Sequence, residues 1–254
     1  FVVFLLTQIA LFWFCYKYQE SDNRQAYYYP HNNKLEVIWT VIPAITLSIL
    51  VGFGIFYWFK ITGAPPKGAT IVEITGSQFK WEFRYAGKDK VLGKKYYKNI
   101  DGAANNPLGQ LWDDPYNKDD VYSTGEPLRL VVNKPVELVI NAKDVIHNVG
   151  LPHFRLKMDA VPGTPTTLWF TPKYTTKEMK EKTGNPNFVY EIACDQMCGR
   201  GHTGMRGEIE VITQSEYDMW MLSRKSQYLV ANPDKDPAAP KPATDSLKIA
   251  AATT

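Results

Sequence analysis

The stretch from Leu35 to Ile61, LEVIWTVIPAITLSILVGFGIFYWFKI, constrains the chain more than any other. No charge interrupts it between Glu36 and Lys60. A helix needs about 20 apolar residues to cross a bilayer, so this one is long enough to span with some tilt. Trp39 stands near its start and Tyr57, Trp58 and Phe59 near its end, as expected of rings that favour the membrane interface. Pro43 lies inside it, where a neighbouring helix helps satisfy the freed carbonyl. A second apolar run, FVVFLLTQIALFWFCY, covers Phe1–Tyr16. It is slightly short for a span. It lacks the basic start and small-residue cleavage site of a signal peptide, so it reads as a helix truncated at its front. The polar stretch 17–34 joins the two runs, and residues 1–61 are predicted to form a transmembrane helical hairpin. Both ends of such a hairpin emerge on one side, together with everything after Lys60. Lys17, Arg24 and Lys34 in the connection fit a cytoplasmic loop, while Lys60 and Lys67 on the other side weaken that signal.

Beyond the linker GAPPKG (63–68) the apolar periodicity changes. Alternating or β-branched runs occur at 70–75, 79–85, 128–132, 136–140, 166–170, 188–193 and 207–211, punctuated by Gly, Pro and Asn. Several short strands without helical periodicity predict an all-β sandwich or Greek-key barrel over residues 62–213. Residues 85–126 form an insert too long for an ordinary hairpin loop. Its Tyr96, Tyr97, Trp112 and Tyr116 argue for partial packing. It reads either as a surface that docks on another subunit or as a partly ordered excursion. A short helix is expected at 179–183 and a longer one at 215–229, with Ser215 as its N-cap. The end of the 214–254 segment, residues 231–254, is rich in Pro and Ala and reads as a flexible or extended tail. The net charge of +3 is too small to argue for a nucleic-acid partner, and three cysteines do not make a disulfide framework. Cys15 lies in an apolar run with no obvious partner.

The chemistry concentrates in one loop, CDQMCGRGHTGM, from Cys194 to Met205. Thiolate, imidazole and thioether make a soft ligand set that suits copper better than calcium or magnesium. A single-copper electron-transfer site uses two His, one Cys and a weak Met. Here there are two cysteines, and two thiolates can bridge two metal ions. The chain holds only His31, His147, His153 and His202. His147, in KDVIH just after the run VELVI, is the best candidate for a second imidazole beside His202. A Cys194–Cys198 disulfide and a structural zinc remain open on residue types alone.

CDQMCGRGHTGM preceded by DVIHN resembles the binuclear copper-A motif of subunit II of the haem-copper cytochrome c oxidases. LEVIWTVIPA, GSQFKWEFRY and FRLKMDAVPG follow that family's order and spacing. The resemblance runs from the first apolar run to about Met205–Val211 and tips the choice toward copper. It implies a cupredoxin-like sandwich with the ligand loop between the last two strands. Cys194 and Cys198 would bridge two copper ions, with His147 and His202 terminating one each. Met205 would be the weak ligand on one ion and the backbone carbonyl of Gln196 that on the other. The family usually has Glu at position 196, where the side chain also helps hold magnesium against subunit I. An amide is a weaker magnesium ligand, so that shared site is weakened here, whereas a main-chain carbonyl ligand survives the change.

The resemblance further implies a subunit of a proton-translocating oxidoreductase in the bacterial cytoplasmic membrane, multi-pass, with its soluble domain on the periplasmic side. It would take electrons from a c-type cytochrome and pass them to haem in subunit I, where oxygen becomes water. No C-x-x-C-H occurs, so no covalent haem is expected on this chain. The family's aromatic stretch has two tryptophans, the first receiving the electron. Here that position is Phe79, and Trp81 matches the second. The donor is thus either a small soluble cytochrome c or a membrane-bound or complex-attached one. Strand packing is the plain reading of both rings. Glu36 matches a residue at the mouth of a proton pathway, and its plain reading is a solvated interfacial carboxylate. Asp144 and Asp159 are candidates for an acidic docking face. His153 has no counterpart among the family's ligands and reads as a surface histidine or one that supports the ligands from behind; His31, in the connection between the apolar runs, reads as solvated. The further partners implied are subunit I, other oxidase subunits and membrane lipid. The alternative function is a membrane-tethered copper carrier or chaperone, which would need exposed, exchangeable ligands.

Overall fold

The computed structural model describes residues 1–237. Of the Pro/Ala-rich tail expected over 231–254, the start is ordered, with a 3-10 turn at Pro233–Lys235 and Asp236 paired to Lys225; the part from residue 238 on lies outside the described residues. Residues 1–55 form one compact unit and the chain from Phe56 onward another. In the first, α1 runs Val2–Lys17 and α2 begins at Asn33, ending at Thr62. The side chain of Asn32 accepts the Leu35 N–H at 3.0 Å, satisfying one of the donors a helix start leaves open. Glu36 in the first turn and Lys60 in the last complement the helix dipole. Among the described residues α2 alone is long and apolar enough to cross a membrane; α1, at 16 residues, is shorter.

The second unit is a sandwich of two five-stranded sheets. Its strands are β1 (Thr70–Ser77), β2 (Lys80–Tyr85), β3 (Val121–Thr124), β4 (Leu128–Val131), β5 (Val136–Ala142), β6 (His147–Leu151), β7 (Leu156–Ala160), β8 (Thr166–Phe170), β9 (Tyr190–Cys194) and β10 (Arg206–Ile212). One sheet has the order β3-β2-β1-β5-β8 and the other β4-β10-β9-β6-β7. β1 pairs parallel with β5, and β4 parallel with β10; the remaining pairs are antiparallel. This is the crossed connectivity of a Greek-key sandwich rather than a simple meander. All seven expected runs are strands. β3, β6 and β7 were not expected. β6, HNVGL, carries Asn and Gly, which have little strand propensity of their own, and it is held by pairing on both sides.

Alternation sends Val72, Ile74, Trp81, Phe83 and Tyr85 inward against Leu130, Val149, Ile192 and Ile209, all nearly inaccessible to solvent. Each such side chain contributes about 1.5–3 kcal/mol on burial. The opposite face of β1 and β2 is buried as well, although it carries Glu73, Glu82 and Arg84. The insert covers it. Arg84 is the hub: its guanidinium meets Glu73 at 2.6 Å and Asp120 at 2.9 Å, and donates to the Gly93 carbonyl and Asn117. Lys95 pairs with the other oxygen of Glu73. Asn117, buried beside them, donates to the Lys94 and Leu111 carbonyls. The stretch expected to be an insert over 85–126 is therefore a packed polar cover. It gives way to β3 at Val121, because Tyr122 and Thr124 continue the sheet beside β2.

α3 spans Thr176–Thr183, starting three residues before the expected point. Thr175 and Glu178 form a capping box, and Gly184 (φ +66°) closes the helix. The single helix expected over 215–229 is two: α4 (Gln214–Leu222) and α5 (Gln227–Ala231). Thr213, not Ser215, caps α4, again in a capping box with Glu216. Ser223 turns its hydroxyl back to the Trp220 carbonyl, and Ser226 caps Leu229 anew. Serines that bond the backbone locally divert it from a continuous helix. α4 is anchored by Trp220 and Tyr217 against Tyr85.

Candidate metal centre

β9 ends at Cys194 and β10 begins at Arg206, so the loop between them crosses one end of the sandwich. His147 opens β6 at the same end, because β6 pairs with β9 through Val149 and Cys194. Gly76 on β1 leaves room for the imidazole: a Cβ there would lie 3.0 Å from the His147 ring. Two loops far apart in sequence thereby bring their side chains together.

The cysteine sulfurs are 3.8 Å apart, well beyond a disulfide bond of about 2.05 Å, and both residues are free. Cys194 Sγ lies 3.8 Å from His147 Nδ1, and Cys198 Sγ 3.6 Å from His202 Nδ1. Met205 Sδ is 3.9 Å from Cys198 Sγ, and the Gln196 carbonyl oxygen 3.2 Å from Cys194 Sγ. Every residue predicted to bind metal is thus in one cluster. His147 is 0% exposed, Met205 1%, Cys198 4% and Cys194 8%. Burial pushes the Cys198 thiol up to about 11, with Cys194 adding to the effect. A metal ion has to displace a proton there. The donor set is soft throughout apart from one carbonyl, which fits copper.

Sequence reasoning missed what holds this cluster. Asp144, read there as a docking charge, accepts from His147 Nε2 at 2.8 Å, leaving Nδ1 toward the sulfurs. A carboxylate on the far nitrogen fixes the ring and its tautomer, as around many metal-bound histidines. Asp144 also accepts the backbone N–H groups of Gln78 and Val145, each at 2.7 Å. Burial alone would raise its carboxyl. The hydrogen bonds from His147, Gln78 and Val145 outweigh that and hold it below the usual carboxylate range. The Gln78 side chain donates to the Cys198 carbonyl at 2.6 Å, so one residue ties the His147 loop to the cysteine loop. The available signal was local: an aspartate three residues before His147.

Phe79 lies outside β2, which starts at Lys80, so the expected strand is one residue shorter. Its ring is 39% exposed and rests on the ligand loop, where a Cβ on Gly199 or Gly201 would strike it. Trp81 is buried, edge-on to His147 with ring centroids 6.1 Å apart. Asp159 accepts from Asn148 at 2.6 Å. His153 accepts the Glu191 N–H and packs against Phe188 and Tyr190, away from the cluster, as its plain reading required. His31 and Glu36 are exposed and belong to the helical unit.

Residues 70–212 match the family described as "Cytochrome C oxidase subunit II, periplasmic domain", and residues 1–57 match "Cytochrome C oxidase subunit II, transmembrane domain". The alternative cytochrome c oxidase subunit 2 of Bradyrhizobium diazoefficiens is 34% identical over 225 residues, covering 88% of this chain and 76% of that one. Cytochrome c oxidase subunit 2 of Cereibacter sphaeroides is 25% identical over 233 residues, covering 87% and 73%. Among solved structures, the periplasmic domain of subunit II of cytochrome oxidase from Bradyrhizobium japonicum matches with a TM-score of 0.44 and 21% identity, over 64% of this chain and 98% of that one. With both segments of the family matched in order and a relative alike along most of its length, the chain belongs to the cytochrome c oxidase subunit II family.

Proposed function

We propose that the cluster holds two copper ions and is where electrons from a c-type cytochrome come into a terminal oxidase. The reading rests above all on two buried cysteine sulfurs 3.8 Å apart, each facing its own imidazole. Cys194, Cys198, His147 and His202 would be the main residues holding the copper, with Met205 and the Gln196 carbonyl as weaker ligands. Copper held there would supply one-electron redox chemistry. The chain's own contribution is rigidity. β6, β9 and β10 fix the ligand positions, and Asp144 and Gln78 lock the two loops, so little has to move as charge changes. Burial of the sulfurs also separates this site from a copper carrier, which needs ligands that exchange with solvent.

Phe79, exposed on the ligand loop, is the contact for the donor, and Trp81 supports His147 from within. The electrons then pass to haem in subunit I. The helical unit anchors the chain as a two-pass hairpin in the bacterial cytoplasmic membrane, with the sandwich on the periplasmic side. Glu36 stands at the mouth of a proton pathway in subunit I. Gln196 leaves the shared magnesium site of the family without its carboxylate from this chain. The test is stopped-flow mixing of the assembled oxidase with a reduced c-type cytochrome. The site's colour should bleach before haem is reduced, and Phe79→Ala should slow that first phase about tenfold, the scale of one well-placed contact. Haem reduction with the colour untouched would sink the proposal.

Asp144→Ala should weaken copper binding about 10–100-fold, as loss of such an orienting partner typically does. Gln78→Ala should have a smaller effect in the same direction, since it removes a single hydrogen bond worth about 1 kcal/mol. Copper transfer to a colorimetric chelator checks both, and equal retention in wild type and Asp144→Ala would remove the positioning role.

A further inference from the structure

A cavity of about 760 Å³ is in a part of the sandwich unit that the copper reading does not use. It lies between the start of β1, the beginning of the insert, and helices α4 and α5. Its volume is within the range of small-molecule sites, about 300–1,000 Å³. The floor is apolar, from Ile71, Ala86, Val121, Tyr217, Met221 and Leu229. Lys88, Lys90, Lys118 and Lys134 also line it, all exposed, and none makes an ion pair among the described residues. The wall also carries acidic groups. Asp119 accepts the Lys88 and Asp89 N–H groups on Oδ2, while its buried Oδ1 has no partner; Asp218 accepts from Gln214, and Asp236 pairs with Lys225. Arg224, also in the wall, pairs with Glu126 but keeps a buried Nε–H without an acceptor. The cavity therefore offers an apolar bed under a cationic mouth.

The geometry points to a binding site for one anionic phospholipid, with an acyl chain on the apolar floor and the phosphate among the four lysines. Two features select a membrane lipid. Gly68 in the wall is only six residues past Thr62, where α2 ends, a contour of at most about 21 Å. Lysines near a membrane surface attract anionic headgroups at about 1 kcal/mol each. The competing occupant within the chain is residues 238–254. That stretch carries Lys241, Lys248 and one acid, Asp245, so its charge has the same sign as the mouth.

The experiment uses the full chain in maltoside micelles with phosphatidylglycerol bearing a diazirine on its acyl chain. After illumination, labelled peptides are mapped by mass spectrometry. Saturable labelling of residues 214–231 is expected. Unlabelled phosphatidylglycerol should compete and phosphatidylcholine should not. The combined variant K88Q/K90Q/K118Q/K134Q should lose labelling there about tenfold or more, with its circular dichroism unchanged. If that variant does not fold, the competition in wild type decides. Labelling confined to residues 1–62, equal competition by phosphatidylcholine, labelling unaltered in the folded variant, or labelling that needs removal of residues 238–254 would each overturn the assignment. None of these outcomes depends on copper.

Discussion

Cys198→Ser is expected to abolish the coupled copper pair while leaving the sandwich folded. Cys198 sits at the junction of the cluster: its sulfur faces Cys194, His202 and Met205. Serine keeps the size, but its hydroxyl is a hard, weakly acidic ligand that does not bridge copper as a thiolate does. His202 and Met205 then lose the sulfur through which they share the site with Cys194 and His147. The variant should hold at most one copper and lose the visible colour. Far-UV circular dichroism should match wild type, because residues 190–193 of β9 stay paired with residues 206–209 of β10. Two coppers with undiminished colour in the variant would remove Cys198 from the site.

Arg84→Ala should produce the largest loss of stability away from the cluster. Arg84 is 2% exposed and neutralises Glu73 and Asp120, at 2% and 0%. Removing one partner of a buried ion pair costs about 3–5 kcal/mol, because the partners' charges stay behind. For a domain of this size that lowers the melting temperature by roughly 10 °C. The loss should grow with pH. Burial already pushes the Asp120 carboxyl up to about 7 against the pull of Arg84. Burial also works to raise Glu73, but Arg84 and Lys95 outweigh it and hold that carboxyl below its ordinary value. Without Arg84 both carboxyls rise. A group whose folded value lies above its unfolded one binds more protons when folded, so stability falls as pH rises through the folded value. Melting of the variant should therefore sit closer to wild type at pH 5 than at pH 8. An equal deficit at both would mean that lost packing, not uncompensated charge, is the cost.

The ligand loop was legible because its chemistry is local: five of the six predicted ligands lie within twelve residues, and their spacing is set by one strand connection. His147 was legible by elimination among four histidines and by the motif around it. What the sequence did not disclose depends on contacts between distant segments. Gln78 matters because β1 passes the His147 loop, which no local pattern reveals; Asp144 left only the local hint of its place three residues before His147. Glu73, Glu82 and Arg84 alternate with apolar residues as a solvated face would. Only the insert, folding back with Asp120 and Lys95, turns that face into an interior. β6 stayed hidden because neighbours on both sides supply the pairing that its Asn and Gly do not favour. The break between α4 and α5 depends on serine hydroxyls whose direction a periodicity does not record.

The most direct measurement of the central claim is copper content together with the electron paramagnetic resonance spectrum of the purified full chain. Two coppers per chain are predicted, with the unpaired electron shared equally between two nuclei of spin 3/2 and hence a seven-line hyperfine pattern. One copper with a four-line pattern, or zinc in a folded domain, would contradict it.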